Sequence, residues 1–345
     1  GTYGGPGRNF GIQNASLLIA VGCRISGRIT GGRPENFMRG TKKYVVDIDP
    51  GLLDPKNQEV KTDVSILCDA ETFLRELERR WRNTLIEHNS IGEYGEEERL
   101  RVSLWKQWTE RAFAWRDRYD PWHVAFEKRP ELYVKEGVHP YAFARKLSQQ
   151  ALSNSVIIYD CGGNAVVMNH AFQTKRGQRY FSNNGNSPMG FAFAAAIGAW
   201  FAYPTRPIIC VIGDGGMQMN IQELQTLKNY GANVKVFILD NHIYGITQAF
   251  QKHAYPDRTP EASGVPHYST PDFCAVAKAY GIASFKITGN GAIDGGIQTA
   301  LNTPGPVICV VESPGFCDYW PAVKGWAQPI EDMSPTLPRD EFRAN

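Results

Sequence analysis

The stretch from Pro207 to Tyr244, PIICVIGDGGMQMNIQELQTLKNYGANVKVFILDNHIY, constrains the fold more than any other part of the chain. Ile208 to Ile212 and Val234 to Leu239 are short apolar runs rich in β-branched residues, and each reads as a strand buried on both faces, as in a parallel sheet. One helix is expected between them. Asn220 with Glu223 three positions on has the form of a capping box that would start it, and Gly231 stands where it would end. The unit is strand, Gly-rich turn, helix, strand, and a right-handed crossover brings the C-terminal ends of both strands to one edge of the sheet. Open α/β sheets bind their ligands at that edge.

Gly213-Asp214-Gly215-Gly216 ends the first strand and Asp240-Asn241 ends the second. Glycines let the backbone approach a bulky anion, and the N–H groups of the turn and of a following helix favour phosphate. Asp214 and Asn241 offer hard oxygens to a Mg²⁺ that shares its shell with phosphate oxygens and water. Alone, a GDG is ordinarily a turn, and Asp-Asn after a strand is ordinary loop chemistry. Their joint placement, each at a strand end and 241 − 214 = 27 residues apart, points to a diphosphate with its metal.

This pattern resembles the thiamine diphosphate (ThDP) signature, a GDG followed further along by a closing Asn. The resemblance implies that Asp214 and the Asn241 side chain bind the metal, with the Ile243 carbonyl as a third ligand, and that Gly213, Gly215, Gly216, Ile243 and Tyr244 lie against the cofactor. It extends to Asn183–Ala199 (NNGNSPMGFAFAAAIGA), to Thr247–Phe250, to PDFCAVAKAYG from Pro271, and to GTYGG and NASLLIAVGCR near the start, which look like the acetolactate synthase branch. The likeness covers the whole chain as the C-terminal part of such an enzyme. By it, Met189 props the cofactor in a bent conformation and the Ser187 carbonyl accepts from the aminopyrimidine; the bend sets the pyrimidine nitrogen against the thiazolium C2–H. Gly163 and Asn164 are the implied diphosphate contacts of the strand end at Asp160, although acetolactate synthases typically have Gly-Gln-His where this chain has Gly162-Gly163-Asn164. Phe250 falls where acetohydroxyacid-forming members commonly carry a tryptophan that helps select the acceptor.

The expected fold class is α/β: a doubly wound parallel sheet preceded by part of a Rossmann-like middle domain. Residues 1–70 are assigned to that partial domain, with strands at Leu17–Val21 and Lys43–Ile48 and a flexible GTYGGPG lead-in. Residues 71–130 read as a helical crossover. Phe73, Leu77, Trp81 and Leu85 recur every four positions on a packing face, Asn89–Glu98 reads as an exposed loop, and Arg101–Trp115 as a second helix packed through Leu104, Trp105 and Trp108. Residues 131–313 form the diphosphate- and metal-binding domain, opening at Pro140 as a first helical residue beside a loop or capping His139. Strands are expected at Val156–Tyr159, Ala283–Ile287 and Val307–Val311, helices from Phe191 and over Phe273–Tyr280, and irregular chain over Ser182–Gly190. The segment from Gly245 to Pro260 reads as a lid over the cofactor or a plain surface loop, and 314–345 as a wrapping arm.

A net charge of +2 and no long Lys/Arg cluster argue against nucleic acid or anionic membranes as partners, and no apolar run is long enough for a transmembrane helix. Seven cysteines without CxxC spacing read as free thiols of a reducing compartment, hence a cytoplasmic protein. The resemblance implies a ThDP- and Mg²⁺-dependent decarboxylation of a 2-oxo acid followed by carboligation to a carbonyl acceptor, in a homodimer or homotetramer. It places the activating glutamate on a pyrimidine-binding domain outside this sequence, so that the chain alone would be inactive, and it leaves open a flavin (FAD) on the middle domain. Two other readings stand beside it. A nicotinamide- or flavin-dependent dehydrogenase would share the alternation, but GDGG is not GxGxxG. A non-catalytic scaffold or regulatory subunit would keep the fold without the chemistry.

Overall fold

Alternating apolar runs and helices form two parallel sheets in the computed structural model, which describes residues 1–2, 4–90, 95–122, 136–258, 263–264, 267–319, 328–332 and 337–345. The chain divides into two units, Gly1–Asp120 with Pro321–Asn345, and Pro121–Trp320.

The first unit runs α1 (Pro6–Gln13), β1 (Leu17–Val21), α2 (Gly27–Thr30), β2 (Lys42–Asp47), α3 (Pro50–Leu53), β3 (Val64–Leu67), α4 (Ala70–Ser90) and α5 (Glu96–Arg118). Its three strands pair in the order β1-β2-β3. The GTYGG lead-in is not loose as expected: Thr2 is buried, the Gly1 amine donates to Asn9 Oδ1 at 2.7 Å, and Pro6 starts α1. Residues 71–120 of the expected crossover belong to this unit, and the C-terminal residues return to it. There Asn9 Nδ2 donates to the Ile330 carbonyl at 2.6 Å, and Leu337 joins Phe10, Trp115 and Tyr119 in a small core. The packing face expected of α4 stays largely in solvent, with Trp81 55% and Leu77 39% exposed, as does Trp105 at 57% on α5. Ion pairs of Arg75, Arg79, Arg80 and Arg82 with Glu71, Glu76 and Glu78 run along α4, a local support that a helix can draw on without tertiary packing. The side chain of Leu85 and residues 91–94 of the expected loop lie outside the described residues.

The second unit contains α6 (Pro140–Gln150), β4 (Val156–Tyr159), α7 (Gly163–Ala171), β5 (Arg179–Phe181), α8 (Phe191–Ala202), β6 (Ile208–Gly213), α9 (Asp214–Met219), α10 (Leu224–Tyr230), β7 (Val234–Asp240), α11 (Gly245–Ala254), α12 (Phe273–Ala279), β8 (Ala283–Ile287), α13 (Ile293–Asn302) and β9 (Val307–Glu312). Its six strands are all parallel in the order β5-β4-β6-β7-β9-β8. Alternate residues feed opposite layers, which is why the runs are apolar throughout. Ile209, Phe237 and Cys309 pack under α6, α7 and α13, whereas Cys210, Val236 and Val310 pack with α8, α10 and α12. β5 and β6 flank β4 on opposite sides, so the winding reverses between β4 and β6, and their C-terminal ends form the crevice where such sheets take ligands.

The segment between β6 and β7 departs from expectation. Two helices, α9 and α10, replace the single one, and the Asn220 side chain makes no capping hydrogen bond: its Nδ2 donates to the Gly190 carbonyl at 2.9 Å. Gly231 does close α10, in a left-handed conformation with φ 60°. Residues 245–254, read as lid or loop, are helix α11, and residues 259–262 and 265–266 beyond it lie outside the described residues.

Candidate cofactor site

The C-terminal ends of β4, β6 and β7 open into a cleft. Gly163, Asn164, Met189, Gly213, Asp214, Gly215, Gly216, Asn241, Ile243 and Tyr244 all line it. Ser187 and Phe250 do not. Phe250 is 55% exposed on α11.

Asp214 is the hinge of the site. Its Oδ1 accepts from the Gly215 N–H at 2.7 Å and its Oδ2 from the His242 N–H at 2.8 Å, so one buried carboxylate joins both strand ends. His242 adopts φ 59° to present that N–H. Asn241 is oriented by its Nδ2, which donates to the Phe316 carbonyl at 2.8 Å and leaves Oδ1 as the acceptor, 3.4 Å from the Ile243 N–H. The Ile243 carbonyl accepts from Gly245 at 2.9 Å and keeps a second lone pair.

Burial, then the charge of the neighbouring Asp240, pushes the Asp214 carboxyl well above the ordinary range, and burial also raises Asp240. Asp240 Oδ1 has no hydrogen-bond donor; the His242 ring nitrogen stands 3.3 Å away and is also paired with Thr270 at 2.7 Å. Two buried carboxylates with an orphaned oxygen call for a cation. Among the described residues no group of three or more His, Cys, Asp or Glu could hold one. An ion here would be bound by carboxylate, amide and carbonyl oxygens together with an anionic ligand, a donor set that suits Mg²⁺. Asn164 Oδ1 is likewise buried and unpaired in the cleft wall.

The turn that carries Ser187 and Met189 is held from below. Asp160, at the end of β4, accepts from Gly190 N–H at 3.0 Å and Ala192 N–H at 3.1 Å, which caps α8, and burial raises its carboxyl too. Ser187 lies at φ 49°, a left-handed conformation that a non-glycine residue holds only with such support, and Gly190 at φ 88°, which glycine adopts freely. Met189 is 39% exposed, no core filler, and its methyl would meet a Cβ on Gly215 at 3.0 Å, so Gly215 leaves room for the thioether over the turn that follows β6.

Three residues of the segment after β9 complete the wall without any sequence signal: Ser313, Phe316 and Tyr319. Their backbone is stitched to β7 and its end, Ser313 N–H to the Asp240 carbonyl at 2.8 Å and Gly315 N–H to the Asn241 carbonyl at 2.9 Å. The role of Asp160 under α8 carries no sequence signal either, since its partners lie 30 and 32 residues away. His139 is the N-cap of α6, with its Nδ1 accepting from Tyr141 N–H at 3.3 Å.

All seven cysteines are free, and no helix among the described residues is long and apolar enough to cross a membrane. Residues 160–311 match the family described as thiamine pyrophosphate enzyme, C-terminal TPP binding domain, where TPP is the same compound as ThDP. The chain is 31% identical over 310 residues to a probable acetolactate synthase large subunit of Methanococcus aeolicus, covering 89% of this chain and 49% of the relative. A probable large subunit of Methanocaldococcus jannaschii is 30% identical over 314 residues (89% and 48%), and the large subunit of acetolactate synthase isozyme 2 of Escherichia coli 26% over 323 residues (94% and 52%). The chain thus spans about half the length of the relatives it matches. The dehydrogenase and scaffold readings gain no support from these matches. The crevice between β4, β6 and β7, its buried carboxylates and the family match over the same residues lead to one conclusion: residues 160–311 are a thiamine pyrophosphate enzyme C-terminal TPP binding domain, and the chain is similar to acetolactate synthase large subunits over 89% of its length.

Proposed function

We propose that the chain is the ThDP- and Mg²⁺-binding part of an enzyme that decarboxylates a 2-oxo acid and joins the product to a carbonyl acceptor. The observation that carries the reading is the Asp214 carboxylate, which ties both strand ends together beside Asn241 and a second buried carboxylate, Asp240. Asp214, the Asn241 amide oxygen and the Ile243 carbonyl would hold Mg²⁺. The backbone of Gly213, Gly215 and Gly216, with Gly163 and Asn164 opposite, would receive the diphosphate, and Tyr244 would wall the cleft beside it. When bound, ThDP supplies the electron sink for breaking the bond to the carboxylate. Met189 would prop the cofactor from its supported turn, with the Ser187 carbonyl facing the pyrimidine, and the apolar walls Leu239, Ile246 and Phe316 would keep water from the reacting atoms.

The donor is a 2-oxo acid such as pyruvate; Phe250, in place of an indole, reshapes the acceptor side. The parent enzyme works as a homodimer or homotetramer in the cytoplasm. A flavin would belong to the first unit, where a cleft lined by Arg24, Ser26, Asp47, Asn57, Gln58 and Thr62 opens beyond β1 and β2; equilibrium dialysis with FAD tests it. For the metal, Asp214→Ala should abolish Mg²⁺-dependent ThDP binding in calorimetry while the fold survives. Unchanged ThDP affinity in that variant sinks the assignment.

A further inference from the structure

Tyr319 stands in a position that two glycines make available. A Cβ built on Gly163 would overlap the Tyr319 hydroxyl, and one built on Gly245 would come within 2.5 Å of it. Any side chain at either position would therefore expel the phenol. Gly163 is the first residue of α7 and Gly245 the first of α11, so the hydroxyl lies against the N-termini of two helices, of nine and ten residues, in the wall of one cleft. Those are places where backbone N–H groups and helix dipoles favour an anion.

The ring is positioned from the metal side of the site. It meets Phe316 edge to face, with centroids 5.5 Å apart and planes at 87°, and the Phe316 carbonyl is the group that orients the Asn241 amide. The hydroxyl and the amide oxygen of Asn241 are thus placed by the same short segment after β9.

We propose that the Tyr319 hydroxyl is a diphosphate-binding group, donating a hydrogen bond to a phosphoryl oxygen seated at the N-termini of α7 and α11. Glycine at 163 removes a side chain from this wall, and the phenol brings a donor back from a distant part of the chain. Helix N-termini attract the anion without fixing which oxygen lies where; an O–H at their junction selects one. The inference rests on the reading of the cleft as a ThDP site.

The test is calorimetric titration of the protein with ThDP and, separately, with inorganic pyrophosphate, each with Mg²⁺, in wild type, Tyr319→Phe and Tyr319→Ala. Loss of a hydrogen bond to a charged acceptor should weaken both ligands by about tenfold or more in Tyr319→Phe. Circular dichroism and the melting temperature should stay at their wild-type values, and Tyr319→Ala should bind no better than Tyr319→Phe. Wild-type affinity in Tyr319→Phe overturns the inference alone. Tighter binding by Tyr319→Ala also overturns it, because the phenol would then be a plug in the diphosphate seat. A folded wild type that takes up neither ligand removes the cofactor-site reading itself, and this inference with it.

Discussion

Acidification should destabilise the second unit through one histidine. His139 is 2% exposed, caps α6 through Nδ1, and packs its ring edge-on against Tyr141 and Phe316 at centroid distances of 5.7 and 5.6 Å. Protonated Nδ1 cannot accept from Tyr141, and burial lowers the pKa from 6.5 to about 4. The unfolded chain therefore takes up a proton near pH 6.5 that the folded chain refuses until about pH 4. Within that window the unfolded state holds more protons, so stability falls as pH falls. The contribution of neutral His139 is intact above pH 6.5, and its loss is complete below about pH 4. A difference of 6.5 − 4 = 2.5 pH units, at ~1.4 kcal/mol per unit, is about 3 kcal/mol. The comparison variant is His139→Asn, which keeps a capping acceptor but does not titrate. Urea unfolding followed across the window should show a lower baseline for Asn, because the ring packing is gone, and an acid limb shallower than wild type by about 3 kcal/mol. Parallel acid limbs in the two proteins would refute the reasoning.

Asp160→Ala leaves the Gly190 and Ala192 N–H groups without their acceptor under α8, and should cost about 2–4 kcal/mol in urea unfolding along with weaker ThDP binding; a loss below about 0.5 kcal/mol would contradict the support assigned to it. For the parent enzyme, a competition assay offering pyruvate with 2-oxobutyrate, an aldehyde and a keto sugar should show an acceptor other than 2-oxobutyrate preferred. A single apolar contact such as Phe250 shifts the choice by only ~1–3 kcal/mol, and clear preference for 2-oxobutyrate would remove the special role given to that residue.

Two strands were legible as continuous apolar runs that meet Gly or Asp, Leu17–Val21 (β1) and Val156–Tyr159 (β4), and Ala283–Ile287 (β8) as a shorter alternating run. β3 and β5 were not, because Ser65 interrupts the short apolar run of β3 and β5 has only three residues; β5 pairs only with β4 at the sheet edge. Asn220 misled for a different reason. Its side chain has a tertiary partner in Gly190, and a local capping pattern contains nothing about a carbonyl 30 residues away. Met189, Asp214 and Asn241 could be picked out as cleft residues because each stands in a recognisable sequence pattern, and all three line the cleft. The Phe316 carbonyl could not, since any residue has one; only the pairing of β9 with β7 brings it to Asn241. α4 is the helix that its pattern predicts, and the apolar face of that pattern is largely exposed in the single chain.

The stitching of residues 313–316 onto the end of β7 also sets a clock for the newborn chain. β4, β6 and β7 could in principle pair as they leave the ribosome, but β9 takes its place against β7 only later, and the carbonyl that turns the Asn241 amide lies beyond it at Phe316. Until then the carboxylates of Asp214 and Asp240 share a half-built edge whose last wall has not been synthesised. Long-range parallel pairing is the slow part of folding such sheets, and an unpaired β7 is an edge open to other chains. A nascent chain stalled before residue 313 should therefore leave the Asn241 amide unoriented and be more prone to aggregate than one stalled after 319, so the same few residues that finish the site also close the period of greatest risk.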